Sequence, residues 1–134
     1  MFFNGAWVEA ASGKTFPVFD PTTGDVMAQV AEGDREDINR AVKAARAAFE
    51  RGREFYTQRH GQMNLGCTHC HDQSWGKRLL GETISQGHGT GFPAYRLEWQ
   101  GLGSLQRRLR ACLFGIRAEM PPPGAPELTD LELY

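Results

Sequence analysis

The stretch Asn64–Leu79, "NLGCTHCHDQSWGKRL", decides how most of the chain is read. Cys67 and Cys70 stand two residues apart, and His71 follows the second directly. Cys-x-x-Cys-His is the attachment pattern of a c-type haem. Its spacing has a chemical reason. Two thiols on one short turn add to the two vinyl groups of the porphyrin, and the neighbouring imidazole then lies under the ring and reaches the iron. Two other chemistries use the same residue types. A zinc site would join Cys67 and Cys70 to two of His60, His69, His71, His88 or Cys112, yet zinc wants four ligands in regular spacing, and no second pair follows. A thioredoxin-like redox pair would need a strand before it and a long helix after it, and the glycines of "DQSWGKRLLGE" oppose that helix.

A haem held by His71 leaves a second axial position, and two downstream residues could fill it. Met120, in "AEMPPPG", would give thioether ligation and an electron-transfer cytochrome of raised potential. Cys112 lies in "LGSLQRRLRACLFG", which has a helical pattern: Leu102, Leu105, Leu109 and Leu113 share one face, and Gly115 can end the helix. The bland reading of Cys112 is a small buried core residue. Arg108, one turn earlier, and the flanking Arg107 and Arg110 favour a thiolate instead and would attract a small dianion. The same arginines also suit a solvated basic face. At this point both Cys112 and Met120 stay open as ligands.

The totals bound the partners. Over 134 residues, 15 Lys and Arg balance 16 Asp and Glu, so neither nucleic acid nor a membrane surface is indicated. No apolar run approaches the roughly 18–20 residues of a membrane span. The start, "MFFNGAWVEAASGK", lacks the basic and then apolar pattern of an export signal. Three cysteines are an odd count, which points to a cofactor or reactive thiol rather than a disulfide framework.

Residues 1–50 have a different character. Asn4-Gly5 between apolar residues predicts a hairpin. "TFPVFDPTTGDVMAQVA" predicts two short strands joined by a turn at Asp20-Pro21 and Thr23-Gly24. Asp34 then caps a helix with Glu36 and Asp37 in its first turn and Ile38, Val42, Ala45 and Phe49 along one face. The run Phe2–Phe49 closely resembles the N-terminal segment of NAD(P)-dependent aldehyde dehydrogenases. That family's nucleotide-binding, catalytic-cysteine and general-base residues have no counterpart here, so dehydrogenase activity is not expected.

From about residue 51 glycine, histidine, arginine and tryptophan become frequent. Such a loop-rich stretch needs a metal or cofactor to complete a core. The seam falls within residues 49–56. Residues 51–134 resemble the haem domain of SoxA, the cytochrome c subunit of bacterial thiosulfate-oxidising Sox systems. The likeness rests on C-x-x-C-H together with "WGKRL", "ISQG", "FPAYRLEWQ", "LGSLQRRLRAC" and "LELY". It implies one covalent haem c on Cys67 and Cys70 with His71 as axial ligand. It implies Cys112 as the other ligand and active-site sulfur, typically persulfide-modified, with Arg108 lining that site. It further implies a SoxX-like cytochrome partner, a SoxYZ-like carrier, thiosulfate as substrate and a periplasmic setting, the cytoplasm being the alternative for a chain that is not exported. The implied activity is that of an L-cysteine S-thiosulfotransferase. The alternatives are a plain His71/Met120 electron-transfer cytochrome and an inactive fusion fragment. The expected fold is mostly α, a loop-rich cytochrome c-like domain over 51–134, C-terminally truncated at "LELY", behind a small β-hairpin and helix segment over 1–50.

Overall fold

The computed structural model describes residues 1–134, which divide into two compact units, Met1–Ala47 and Ala48–Tyr134. In the first, β1 (Phe2–Phe3) and β2 (Ala6–Trp7) pair around Asn4 and Gly5, both left-handed at φ 53° and 73°. That is the geometry a two-residue hairpin requires. Strands β3 (Thr15–Phe19) and β4 (Val26–Ala31) form a second antiparallel pair. Glu32 N–H donates to the Lys14 carbonyl at 2.8 Å, so the alternation of the ladder makes Pro17–Gln29 a non-hydrogen-bonded pair. The missing proline N–H therefore leaves no carbonyl of β4 without its donor.

Helix α1 (Arg35–Thr57) begins on Asp34, whose Oδ1 accepts from the N–H groups of Glu36 and Asp37 at 2.9 and 3.3 Å. Asp37 is buried and accepts from the Ala11 and Asp34 N–H groups and from Arg40. Burial pushes its carboxyl up, but these donors outweigh it and hold the group below the ordinary carboxylate range. Fixing Asp37 inward turns the helix by one residue from the expected face. Ile38, Val42 and Phe49 are exposed, and the less exposed stripe runs through Asp37, Ala41, Ala44 and Ala48.

The second unit holds the end of α1, then α2 (Cys67–His71), a hairpin of β5 (Arg78–Leu79) and β6 (Glu82–Thr83), and a hairpin of β7 (Ala94–Arg96) and β8 (Gly101–Gly103). It closes with α3 (Leu105–Gly115) and α4 (Pro126–Leu133). Leu128 of α4 is fully buried. Arg51 grips Asp130 of α4 through two bonds, Nε–Oδ2 at 2.6 Å and Nη2–Oδ1 at 3.0 Å. That paired bond raises the guanidinium further above its ordinary value. Beside it a Cβ on Gly52 would collide with the Asp130 carbonyl, and the rings of Phe49 and Tyr56 each lie 5.2 Å from that of Tyr134.

The expectation of a mostly α chain is overturned: about 40% of residues are helical and 20% lie in strands, arranged as four two-stranded sheets. The second half contributes two of those sheets. Its strands are two or three residues long, too short for a period-2 alternation to register. The helix expected from Leu102 starts at Leu105, because Ser104 Oγ accepts from the Arg107 N–H at 3.2 Å and caps it there. Leu102 lies in β8 and is exposed. No helix is long and apolar enough to cross a membrane.

Candidate functional site

Helix α2 sets Cys67, Cys70 and His71 at i, i+3 and i+4, so the three side chains share one face. All three are half-buried, and the thiols are free. His71 Nδ1 donates to the Ser85 carbonyl at 2.8 Å, which leaves the Nε2 lone pair available to a metal. Burial pushes the Cys67 thiol up to about 11, with the charge of the nearby Cys112 next in weight and the groups of Cys70 and Asp72 adding to it. Helix α2 thus presents Cys67, Cys70 and His71 together, and Cys112 of α3 is near enough for its charge to act on Cys67. Tyr56 donates its hydroxyl to Asp72 Oδ1 at 2.7 Å, one residue beyond His71. Burial first, and this bond second, keep that phenol protonated far above its ordinary range.

Other candidates go elsewhere. The Gly66 N–H donates to His69 Nδ1 at 3.0 Å, tying that ring to the start of α2. His60 Nε2 donates to the Phe55 carbonyl at 2.9 Å and stacks on the Phe55 ring. No group of three or more His, Cys, Asp or Glu side chains converges as an ion-binding cluster, so the donor set does not suit zinc. Met120 is 41% exposed in the segment between α3 and α4.

Arg108 stands one turn before the exposed Cys112 on α3. Its Nη1 lies 3.7 Å from Glu98 Oε1, which Arg96 Nη2 also approaches at 3.4 Å. Arg107 stacks over the Trp99 ring at 4.5 Å. Glu98 is a residue that sequence reasoning missed. It orients Arg108 from the 3-10 turn Leu97–Trp99, and only the return of the chain to α3 makes it relevant.

The residues fit a haem. A haem iron takes four ligands from its own ring and needs only axial donors from the protein, as a lone His Nε2 provides. In this unit only Ala48, Leu113, Ala125 and Leu128 are buried apolar residues, while Trp75, Leu80, Leu97, Leu102 and Phe114 are exposed. A broad apolar ring suits that excess of uncovered apolar surface. Arg110 Nε is buried without an acceptor, and a carboxylate side arm is the acceptor type it lacks.

Comparison with known proteins gives two resemblances. The model of the aldehyde dehydrogenase family matches residues 7–64. The mitochondrial aldehyde dehydrogenase family 2 member B4 of Arabidopsis thaliana is 67% identical over 52 residues, 39% of this chain and 10% of that protein. The L-cysteine S-thiosulfotransferase subunit SoxA of Pseudaminobacter salicylatoxidans is 44% identical over 86 residues, 64% of this chain and 30% of that protein. The crystal structure of SoxXA from P. pantotrophus superposes with a TM-score of 0.64 at 32% identity, over 81% of this chain and 38% of that one. The chain therefore resembles SoxA over most of its length and aldehyde dehydrogenases over its N-terminal part. It spans less than half the length of these curated relatives.

Proposed function

We propose, from that double resemblance, that residues from about Ala48 onward act as a SoxA-type haem unit of thiosulfate oxidation, an L-cysteine S-thiosulfotransferase subunit. The observation that carries this reading is the placing of Cys67, Cys70 and His71 on one face of α2, with His71 held through Nδ1, in a chain similar to SoxA. Cys67 and Cys70 would hold a haem c through thioether bonds, and His71 Nε2 would bind its iron, oriented by the Nδ1 bond. When bound, the haem supplies an acceptor for single electrons.

The net reaction joins thiosulfate to a carrier cysteine thiol. One sulfur–sulfur bond forms, the carrier thiol loses its proton, and two electrons leave. Cys112, exposed on α3, is the sulfur through which the thiosulfate passes, and a SoxYZ-like carrier is the acceptor. Arg108 holds the dianion at that sulfur, and Glu98 sets the direction of the guanidinium. Two electrons exceed what one haem accepts, which is why a SoxX-like cytochrome belongs to the reading. The periplasm, where thiols are joined to haem, is the setting that suits it.

The competing ligand, Met120, separates this reading from a plain electron-transfer cytochrome. Prepare haem-loaded protein carrying Cys112→Ala or Met120→Leu and record optical spectra and midpoint potentials. Cys112→Ala is expected to change both and to abolish thiosulfate coupling, with Met120→Leu close to the parent. A response confined to Met120→Leu sinks the transferase reading. Absence of covalently retained haem in the parent, made in a host that matures cytochromes c, sinks both.

A further inference from the structure

The turn Ser85-Gln86-Gly87 meets the His71 ring in two ways and is closed by a bond of its own. The Ser85 carbonyl takes the Nδ1 proton at 2.8 Å. The Ser85 side chain closes the turn on itself, its Oγ accepting from the Gly87 N–H at 3.2 Å. Gly87 then lies flat against the imidazole: a Cβ there would stand 3.0 Å from His71 Cγ and 3.1 Å from Nδ1. Gly87 also has φ +81°, which side chains rarely adopt. Strain alone is not what makes Gly87 special, since Gly76 has nearly the same φ, +78°, with open space where its Cβ would be.

We propose that Ser85 and Gly87 are positioning residues for His71: the turn fixes the tautomer and the plane of the imidazole, and Gly87 is the residue whose missing side chain lets the ring lie there. This rests on the proposed role of His71 as an axial ligand. A donating Nδ1 makes the imidazole more basic and favours the oxidised metal. Loosening the turn weakens that bond, tilts the ring and moves the potential upward.

The test uses the full chain with haem attached, as Gly87→Ala, Ser85→Ala, Ser85→Thr and Gly76→Ala. Midpoint potentials and electron paramagnetic resonance g values are the readouts. Gly87→Ala and Ser85→Ala are expected to raise the potential and shift the g values. Ser85→Thr, which keeps the hydroxyl, restores them, and Gly76→Ala, which has the strain without the ring contact, matches the parent. A Gly87→Ala protein indistinguishable from Gly76→Ala overturns the proposal. The haem-free chain gives a separate reading by nitrogen NMR of the His71 ring. Solvent exchange of the Nδ1 proton should be about tenfold faster in Gly87→Ala than in the parent, the loss of one hydrogen bond. Equal exchange overturns the clamp whatever haem does. Fast exchange in a chain that never retains haem keeps the clamp and removes the haem reading.

Discussion

Burial makes Cys67 a poorly reactive thiol at neutral pH. Its pKa of about 11 against the ordinary 9.0 leaves about one thiolate per thousand molecules at pH 8. Cys112 is exposed. Iodoacetamide at pH 8 should therefore label Cys112 well before Cys67 in the haem-free chain, as peptide mass mapping would show; faster labelling of Cys67 would contradict the geometry. The sign for stability follows from the same shift. A thiol raised in the fold contributes fully below pH 9 and loses its contribution as pH climbs through about 11. At this scale the sequence was informative where chemistry imposes a local spacing. That Cys67, Cys70 and His71 share one helical face is legible because their spacing of three and four residues is local in the sequence. Ser85 and Gly87 were not legible, since their relevance depends on the chain returning to His71 after 14 residues. The run "ISQG" that contains them counted only towards the likeness, and the serine-to-glycine spacing marked only a turn.

Among elements, α4 depends most on a single side chain. Leu128 has 0% exposure, in a unit with few other buried apolar groups to take up the space. Leu128→Ala should cost about 3 kcal/mol, a fall in melting temperature of roughly 10 °C by calorimetry. A fall of only a degree or two would mean that α4 is not part of the folded unit. Elements were legible where a turn or cap residue marks them. The β1–β2 and β3–β4 pairs announce themselves through Asn4-Gly5 and Asp20–Gly24, and α1 through Asp34. The inward face of α1 was misassigned by one residue because alanines and larger apolar residues both repeat at helical spacing. Asp37, bound to Ala11 across 26 residues, settles which set turns in. Hairpins such as β5–β6 turn on Leu80, at φ 55°, where Asn or Gly would be the usual sign.

On the scale of the molecule, uncovered apolar surface stands out. Trp75, Leu80, Leu97 and Leu102 face solvent, and the few buried apolar side chains are alanines and leucines. Attachment of haem should therefore raise the melting temperature of the full chain and reduce its binding of the apolar dye ANS. Equal dye binding with and without haem would show that the exposed groups serve another purpose. The twofold resemblance was readable from residue runs alone, whereas the balance of helix and strand was not, because it emerges only when short segments find partners. The Arg51–Asp130 pair carries one more consequence. The aldehyde dehydrogenase match continues to residue 64, past Arg51, Gly52 and Tyr56. Each of those three nevertheless meets a group in residues 130–134. Descent and contact thus draw different borders along α1. Anyone dissecting the chain at the edge of the alignment would amputate the anchor of α4, and the cut that respects the physics lies before Ala48.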